Sequence, residues 1–298
     1  MSAADQGGPR DYDFVRLQHP EPAIARIVLD RPEKRNAQNL ALLYELNDAF
    51  DRAAIDEDVT VIVLAATGSC FSAGHDLVER AILRPELFEG RTVGSGGNLR
   101  ASGVHGMFAR EDELYFGLYQ RWRNLAKPTI AQVHGDVVAA GLMLAWACDL
   151  IIASEDTTFC DPVVGVGVPG VEVFNHPWEL GARKAKEFLF TADKWTAQEA
   201  HRLGMVNHVV AGEELDGFTL DLARRIAARP RFALALAKEA VNQSLDIQGQ
   251  SQALRSAFYL HHLGQGQAVR SDGMDLTGLP DGLRDRWAKW TGEPAPPP

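Results

Sequence analysis

The sequence predicts an α/β fold that ends in a helical region. Three observations carry this expectation. Short runs such as "IARIVL" (24–29), "TVIVLA" (60–65) and "TIAQVHG" (129–135) recur between segments of helical periodicity. The run at 60–65 is continuously apolar, which suits a strand buried on both faces. Strands and helices alternate up to about residue 210, after which only helical patterns remain, at 215–228, 232–245 and 250–263.

Taken in order, the strand at 24–29 runs into a loop, "DRPEKRNA", because Pro32 and Asn36 favour turns. From 39 to 55, Leu40, Leu43, Leu46, Ala49, Phe50 and Ala53 recur at helical spacing. After the strand at 60–65, "TGSCFSAGHDL" reads as a turn leading into a helix start, with Asp76 as its cap. Residues 84–109 are rich in Gly and Ser and lack periodicity, so they read as a long loop of the kind that forms lids. A helix is expected from near Glu111 to before Pro128. The strand at 129–135 then enters a turn and an apolar helix within "VVAAGLMLAWACD" (137–149). A strand at 149–155, helices at 182–190 and 196–203, and a strand at 206–210 complete the alternating part. The expected organisation is a core over 12–205, a helical region over 206–290, and flexible tails at 1–11 and 291–298.

Composition narrows the function. The 298 residues carry a net charge of −10 and are 46% apolar. Such a balance excludes a broad basic face for nucleic acid but permits a local basic pocket for phosphates. No apolar run approaches the roughly 18 residues of a membrane helix. The start, "MSAADQGGPRDYDF", has neither the charged nor the apolar region of a signal peptide, so a cytoplasmic protein is expected. Cys70, Cys148 and Cys160 fit no metal or redox spacing and read as buried reduced thiols.

Several motifs invite chemistry. "GVGVPG" (165–170) satisfies Gly-x-Gly-x-x-Gly, but Pro169 sits inside it and no strand follows, so it is not a dinucleotide turn. His75 has no partner at metal-ligand spacing, and no metal site is expected. His105, His134 and His176 each read as solvated or packing residues when taken alone. Two glycine-containing turns, "SAGHD" and "HGDVVAAG", share a more pointed logic. Each can aim backbone N–H groups outward, and the two together would make a paired-donor pocket for a developing oxyanion.

In order and near-family spacing, "RPEKRNAQN", "GSCFSAGHDL", "KPTIAQVHGDVVAAGLMLAWACDLIIASEDTTF", "GVGVPG" and "TAQEAHRLGMVNHVV" resemble the crotonase (enoyl-CoA hydratase/isomerase) superfamily. The resemblance covers roughly residues 12–265. It implies a spiral of ββα units and a C-terminal helical region that mediates trimerisation, with trimers that often pair into hexamers. It also implies an acyl-CoA thioester substrate, with coenzyme A as part of the substrate and no separate cofactor. The thioester enolate would be held by the N–H groups of His75 and Ala140. Asn36, Ala37 and Ala73 match positions that contact the adenine and pantetheine portions. Arg31, Lys34 and Arg35 are candidates to meet the phosphates. The implied substrate-contacting set is Arg35, Asn36, Ala37, Ala73, Gly74, Asp76, Leu77, Gly141, Met143 and Val163, with Gly141 allowing close approach of the thioester.

The pattern departs from the family at two places. Hydratases of the family manage water and proton with two glutamates, and those positions here are Met143 and Val163. Neither side chain moves a proton. Replacement acids or bases are available nearby in Asp161, Glu172 and His176, with Glu172 and His176 as a candidate pair. Asp136, in the donor turn, reads as a second candidate or a helix cap. The expected activity is that of an enoyl-CoA hydratase-like enzyme with nonstandard acid–base residues. Alternatives are isomerisation, decarboxylation or C–C hydrolysis on the same scaffold, or CoA binding without catalysis.

Overall fold

A computed structural model describes residues 12–88, 93, 97–270, 273 and 274. The expected flexible tails, and the part of the C-terminal region beyond 274, lie outside the described residues.

The chain opens with an antiparallel hairpin, β1 (Val15–Glu21) and β2 (Ile24–Leu29). Helix α1 (Leu40–Ile55) follows, capped by the Asn39 side chain, which accepts from the Leu42 amide. Strand β3 (Val61–Ala66) is buried along nearly its whole length. Helix α2 (Gly103–Glu111) runs without a break into a π-helical turn at Asp112–Gly117 and then α3 (Leu118–Arg123). Strands β4 (Thr129–Val133) and β5 (Asp136–Val138) lead into α4 (Ala140–Trp146). Then come β6 (Leu150–Ser154), β7 (Thr158–Cys160), α5 (His176–Leu180), α6 (Ala182–Thr191), β8 (Trp195–Thr196), α7 (Ala197–Leu203) and β9 (His208–Val210). Three helices close the fold: α8 (Leu215–Ala227), α9 (Arg231–Ile247) and α10 (Gln250–Ala268).

The strands of the core form two layers, and a short antiparallel pair, Val269–Arg270 with Gly273–Met274, follows α10 inside the region expected to be helical. The larger sheet has the order β1-β2-β3-β4-β6-β9 and is parallel except for the first hairpin. The smaller sheet has the order β5-β7-β8. Single-residue bridges, Ser72 to Val137 and Gln38 to His75, extend it on the β5 side. A chain leaving a strand of the large sheet therefore adds a short strand to the small sheet and then turns into a helix, as β4-β5-α4 does. This is the expected ββα winding. The apolar runs of β2, β3, β4 and β6 are buried because helices cover the large sheet, with α8 packed over β3, β4 and β6.

Three segments differ from the sequence expectation. Strand β1 carries the polar run "VRLQHPE" at the sheet edge, where only alternate residues need to be apolar, so its composition hid it. The turn after β3 does not start a helix. Asp76 caps a tight turn through the Val78 and Glu79 amides, and two short 3₁₀ turns follow at Ala81–Leu83 and Pro85–Phe88. The expected loop at 84–109 is helical from Gly103 onward. Arg110, almost fully buried, fastens its preceding strand of chain by donating to the carbonyls of Ile82, Leu99 (2.7 Å) and Ala101 (3.0 Å). Residues 89–92 and 94–96 of that loop lie outside the described residues.

Candidate active site

The two glycine-containing turns meet. Beyond β3 the chain runs through Phe71 to Ser72, whose amide donates to the Asp136 carbonyl and whose carbonyl accepts from the Val138 amide. The Ser72 hydroxyl donates to the Asn36 carbonyl (2.9 Å) and accepts from the Gly74 amide (3.2 Å) and the Gln38 side chain (3.2 Å). This buried network fixes the turn that carries His75. The Gly74 carbonyl and the Asp76 amide are used by Gln38, so the intervening His75 amide faces the opposite side.

Ala139 holds the second turn in an uncommon conformation, φ +49° and ψ −118°, which directs Ala140 into the first position of α4. The amide at that position has no intrahelical acceptor. Gly74 lies at the junction with φ +95°; a β-carbon there would sit 3.0 Å from the Val138 carbonyl and 3.3 Å from the Ala140 amide nitrogen. The positive φ and the close approach both require glycine. Gly141 has a different role from the one expected. Its missing β-carbon would lie 2.6 Å from the Ser72 carbonyl, so it lets α4 pack on the first turn and does not open the pocket.

A cavity of about 1100 Å³, counted with its open mouth, lies beside these turns. Ala73, His75, Asp76 and Leu77 line one side and Val138 and Ala139 another. Val163, Val166 and Val168 face them, with Glu172, Tyr115, His261 and Gln265 completing the wall. Among the carboxylates that line the cavity, Asp76 is tied up by Arg31 at 2.6 Å and by two amides. Burial works against its charge, but those bonds hold its carboxyl below the usual range.

Glu172 is the carboxylate positioned for chemistry. Its Oε2 lies 3.1 Å from His75 Nε2, and its Oε1 lies 3.5 Å from His261 Nε2. The His75 ring is stacked on Tyr115, with centroids 3.7 Å apart. Tyr115 reaches that place from the π-helical turn, a distortion that often marks functional positions. Burial alone raises the Glu172 carboxyl; the imidazoles of His75 and His261 outweigh it and hold the group at about 2. Glu172 is therefore ionised throughout the neutral range.

Behind Glu172 lies a second acid that the sequence did not single out. Glu111, fully buried at the end of α2, accepts through Oε1 from Gln265 Nε2 at 2.6 Å. Its Oε2 stands 3.7 Å from His261 Nε2 and 3.2 Å from His262 Nε2, without a hydrogen bond. Burial pushes Glu111 up to about 7, with Glu172 adding to the rise and His261 opposing it. Burial and His261 push His262 down to about 4. No metal was expected, yet Glu111, Glu172 and His261 present ligand-type atoms within 4.8 Å of one another, close enough to share one positive charge.

The remaining expected residues fall in three places. His176 does not pair with Glu172: it packs at 2.8 Å against Asp161, both fully buried away from the cavity wall. Asp161 also accepts from the Val171 and Val163 amides, so this pair braces the segment that carries Glu172. Met143 is in the core, whereas Val163 lines the cavity. The Asn36 side chain is buried and donates to the Thr67 and Cys70 carbonyls, and the Ala37 carbonyl accepts from Arg31. Arg35 pairs with Asp136 at 2.6 Å, and Lys194 meets the same carboxylate at 2.6 Å. Asp136 thus joins an ion-pair network and is not a cap of α4. The cysteines are free, and burial pushes the thiols of Cys148 and Cys160 up to about 12, far from a nucleophile's range.

The enoyl-CoA hydratase/isomerase family model matches residues 20–92 and 89–277. The chain belongs to this family. EchA13 of Mycobacterium tuberculosis (strain ATCC 25618 / H37Rv) is 48% identical over 268 residues, which span 86% of this chain and 81% of EchA13. A 4-chlorobenzoyl coenzyme A dehalogenase-2 of Arthrobacter sp is 30% identical over 81% of this chain and 80% of its own. The crystal structure of an enoyl-CoA hydratase/isomerase from Xanthobacter autotrophicus Py2 superposes with a TM-score of 0.77 at 32% identity. That match covers 95% of this chain and 98% of the other. The ββα architecture is that of the crotonase fold, as the ordered motifs led one to expect. Among the described residues, no helix is long and apolar enough to cross a membrane.

Proposed function

We propose that this family member forms the enolate of an acyl-CoA thioester and moves a proton on its acyl chain. The observation that carries the reading is the meeting of the two donor turns at Gly74, beside the Glu172–His75 pair. The thioester oxygen rests between the His75 and Ala140 amides. Each such preorganised donor is worth about 2.7–4 kcal/mol in the transition state. Glu172, held ionised, takes the proton from the carbon next to the thioester as the C–H electron pair moves into the enolate. His75 thus has two functions: its amide faces the oxygen, and its ring orients the base.

Double-bond migration is favoured over hydration. Both hydratase glutamate positions are apolar, Met143 is away from the cavity, and a single base facing the acyl chain suffices to move a proton from one carbon to another. The test is turnover of paired substrates by the purified chain. Conversion of 3-enoyl-CoA to 2-enoyl-CoA much faster than hydration of 2-enoyl-CoA supports it. Rapid hydration that is indifferent to Glu172→Gln overturns it.

Coenzyme A enters only as part of the substrate, and the protein works as a homo-oligomer in the cytoplasm. Helix α9 has no buried residue in a single chain, although Phe232, Leu236, Val241 and Ile247 on it are apolar and exposed. A second copy covering that surface supports the trimer or hexamer reading, which light scattering on the purified chain tests.

A further inference from the structure

We propose that Glu111 is a proton store for Glu172, with His261 as the bridge between them. The proposal rests on the acyl-CoA reading for its use in turnover, but not for its existence.

The geometry is built from two orphaned atoms and three satisfied contacts. His261 Nδ1 donates to the Gly170 carbonyl at 2.8 Å. That bond fixes which ring nitrogen keeps its hydrogen, so Nε2 is the end that gains or loses a proton. Nε2 is buried and has no hydrogen-bond partner, and it lies between Glu172 Oε1 (3.5 Å) and Glu111 Oε2 (3.7 Å). Glu111 repeats the pattern. Gln265 holds Oε1, while Oε2 is buried and has no hydrogen-bond partner. On the cavity side, His75 holds Glu172 Oε2, and Oε1 faces His261.

A carboxylate with a purely structural role is paired or fully hydrogen-bonded, because an unmet buried oxygen is costly. Glu111 instead keeps one oxygen turned toward an imidazole whose facing nitrogen is also unmet. The separations exceed hydrogen-bond length, as catalytic contacts often do before substrate binds. The charged groups around Glu111 leave this role to it. Arg110, its chain neighbour, is engaged with the carbonyls of Ile82, Leu99 and Ala101. From α10 come His261, His262 and Gln265, from the segment before α5 comes Glu172, and beyond Glu172 stand His75 and Tyr115. His262 is held neutral at ordinary pH. The position of Glu111 near neutrality lets it both take and return a proton.

The relay balances without any oxidant or reductant. A substrate C–H bond breaks, its electron pair enters the enolate, and the proton forms an O–H bond on Glu172. That proton passes to His261 Nε2 as the Glu172 O–H bond breaks. It then passes to ionised Glu111, which returns the His261 imidazole to its starting state. Reversal returns it to a different carbon. Glu111 does not line the cavity, so it is a positioning and storage group acting through His261, not a group that touches substrate.

The test is infrared titration of the full-length protein without substrate, in wild type, Glu111→Gln and Glu172→Gln. Glutamine preserves the shape at 111 and an oxygen for Gln265. The expected result is a carboxylic-acid C=O band that titrates away near neutral pH in wild type and Glu172→Gln and is missing in Glu111→Gln. A band unchanged by Glu111→Gln overturns the store. So does a stoichiometric divalent ion in the purified protein, because a metal and not a proton would then balance the cluster. In turnover, Glu111→Gln is expected to keep KM within about twofold, lower kcat tenfold or more, and delete the near-neutral limb of the kcat–pH profile. Uniform loss at every pH, as packing damage gives, overturns the relay. A wild type that turns over no acyl-CoA sinks the proposed function but leaves the infrared result readable.

Discussion

The two halves of the proposed site are made from different materials. The donor half, around Gly74, Ala139 and Ala140, is backbone. It is formed where neighbouring turns of the ββα winding touch, and its side chains serve chiefly to let main chains approach. The proton half, Glu172 with His75, His261 and Glu111, is side chain. Its members come from a turn after β3, the end of α2, the segment before α5, and α10. A backbone site is as rigid as the sheet that frames it, because each donor is locked by ladder bonds and tight turns. A side-chain site is tuned by its neighbours' charges, so its behaviour depends on pH and on single substitutions far along the chain. The winding itself supplies the first half, whereas the second is open to replacement one side chain at a time.

The largest expected effect breaks the side-chain half alone. Glu172→Gln should lower kcat by about 10²–10⁴-fold while leaving acyl-CoA affinity, measured by calorimetry, nearly unchanged. A loss of binding equal to the loss of rate would mean that the two halves are not separable. Next comes the backbone half. Gly141→Ala forces a β-carbon toward the Ser72 carbonyl, 2.6 Å away, and so shifts α4 and the Ala140 donor. Its kcat should fall by about 10²–10³-fold, the worth of one oxyanion donor, with the pH profile unmoved. A crystal structure showing the Ala140 amide undisplaced alongside that loss would refute the assignment.

His75→Ala sharpens the comparison, because this residue belongs to both halves. The amide survives, so affinity for an enolate analogue should hold within a few-fold. The ring is lost, and with it the chief charge that keeps the Glu172 carboxyl low against burial. The acid limb of the kcat/KM profile should therefore move to higher pH; a limb that stays in place detaches the ring from the base. The smallest effect is on stability. The Glu111 carboxyl is raised to about 7, so its protonated form favours the folded state. That contribution is fully present below the unfolded carboxylate value of about 4.3 and is lost as pH rises through about 7. Thermal melts should show wild type losing stability between pH 5 and 8, and Glu111→Gln losing less across the same window.

Much of the fold was legible because burial leaves periodic marks. The apolar runs at 24–29, 60–65 and 129–135 became central strands within a residue or two, and α1 starts at its Asn39 cap. Where burial is one-sided or the helix is distorted, the marks fade. Strand β1 is a polar edge, and α2 with its π-helical turn follows a glycine-rich stretch that blurs the period. The glycine-containing turns were legible for a related reason: close main-chain approach requires small residues at fixed places, and Gly74 stands at one of them.

What the sequence by itself determined is the winding and the two glycine-containing turns, since both follow from local periodicity and from where a β-carbon cannot be. The tertiary structure alone decided which titratable side chains meet. It drew Glu172 to His75 across 97 residues, left His176 as a brace on Asp161, and brought Glu111 and His261 behind the cavity wall. A carboxylate's neighbours, burial and proton affinity are properties of the folded interior, where charge interactions are strong and solvent is excluded. No spacing along the chain records them.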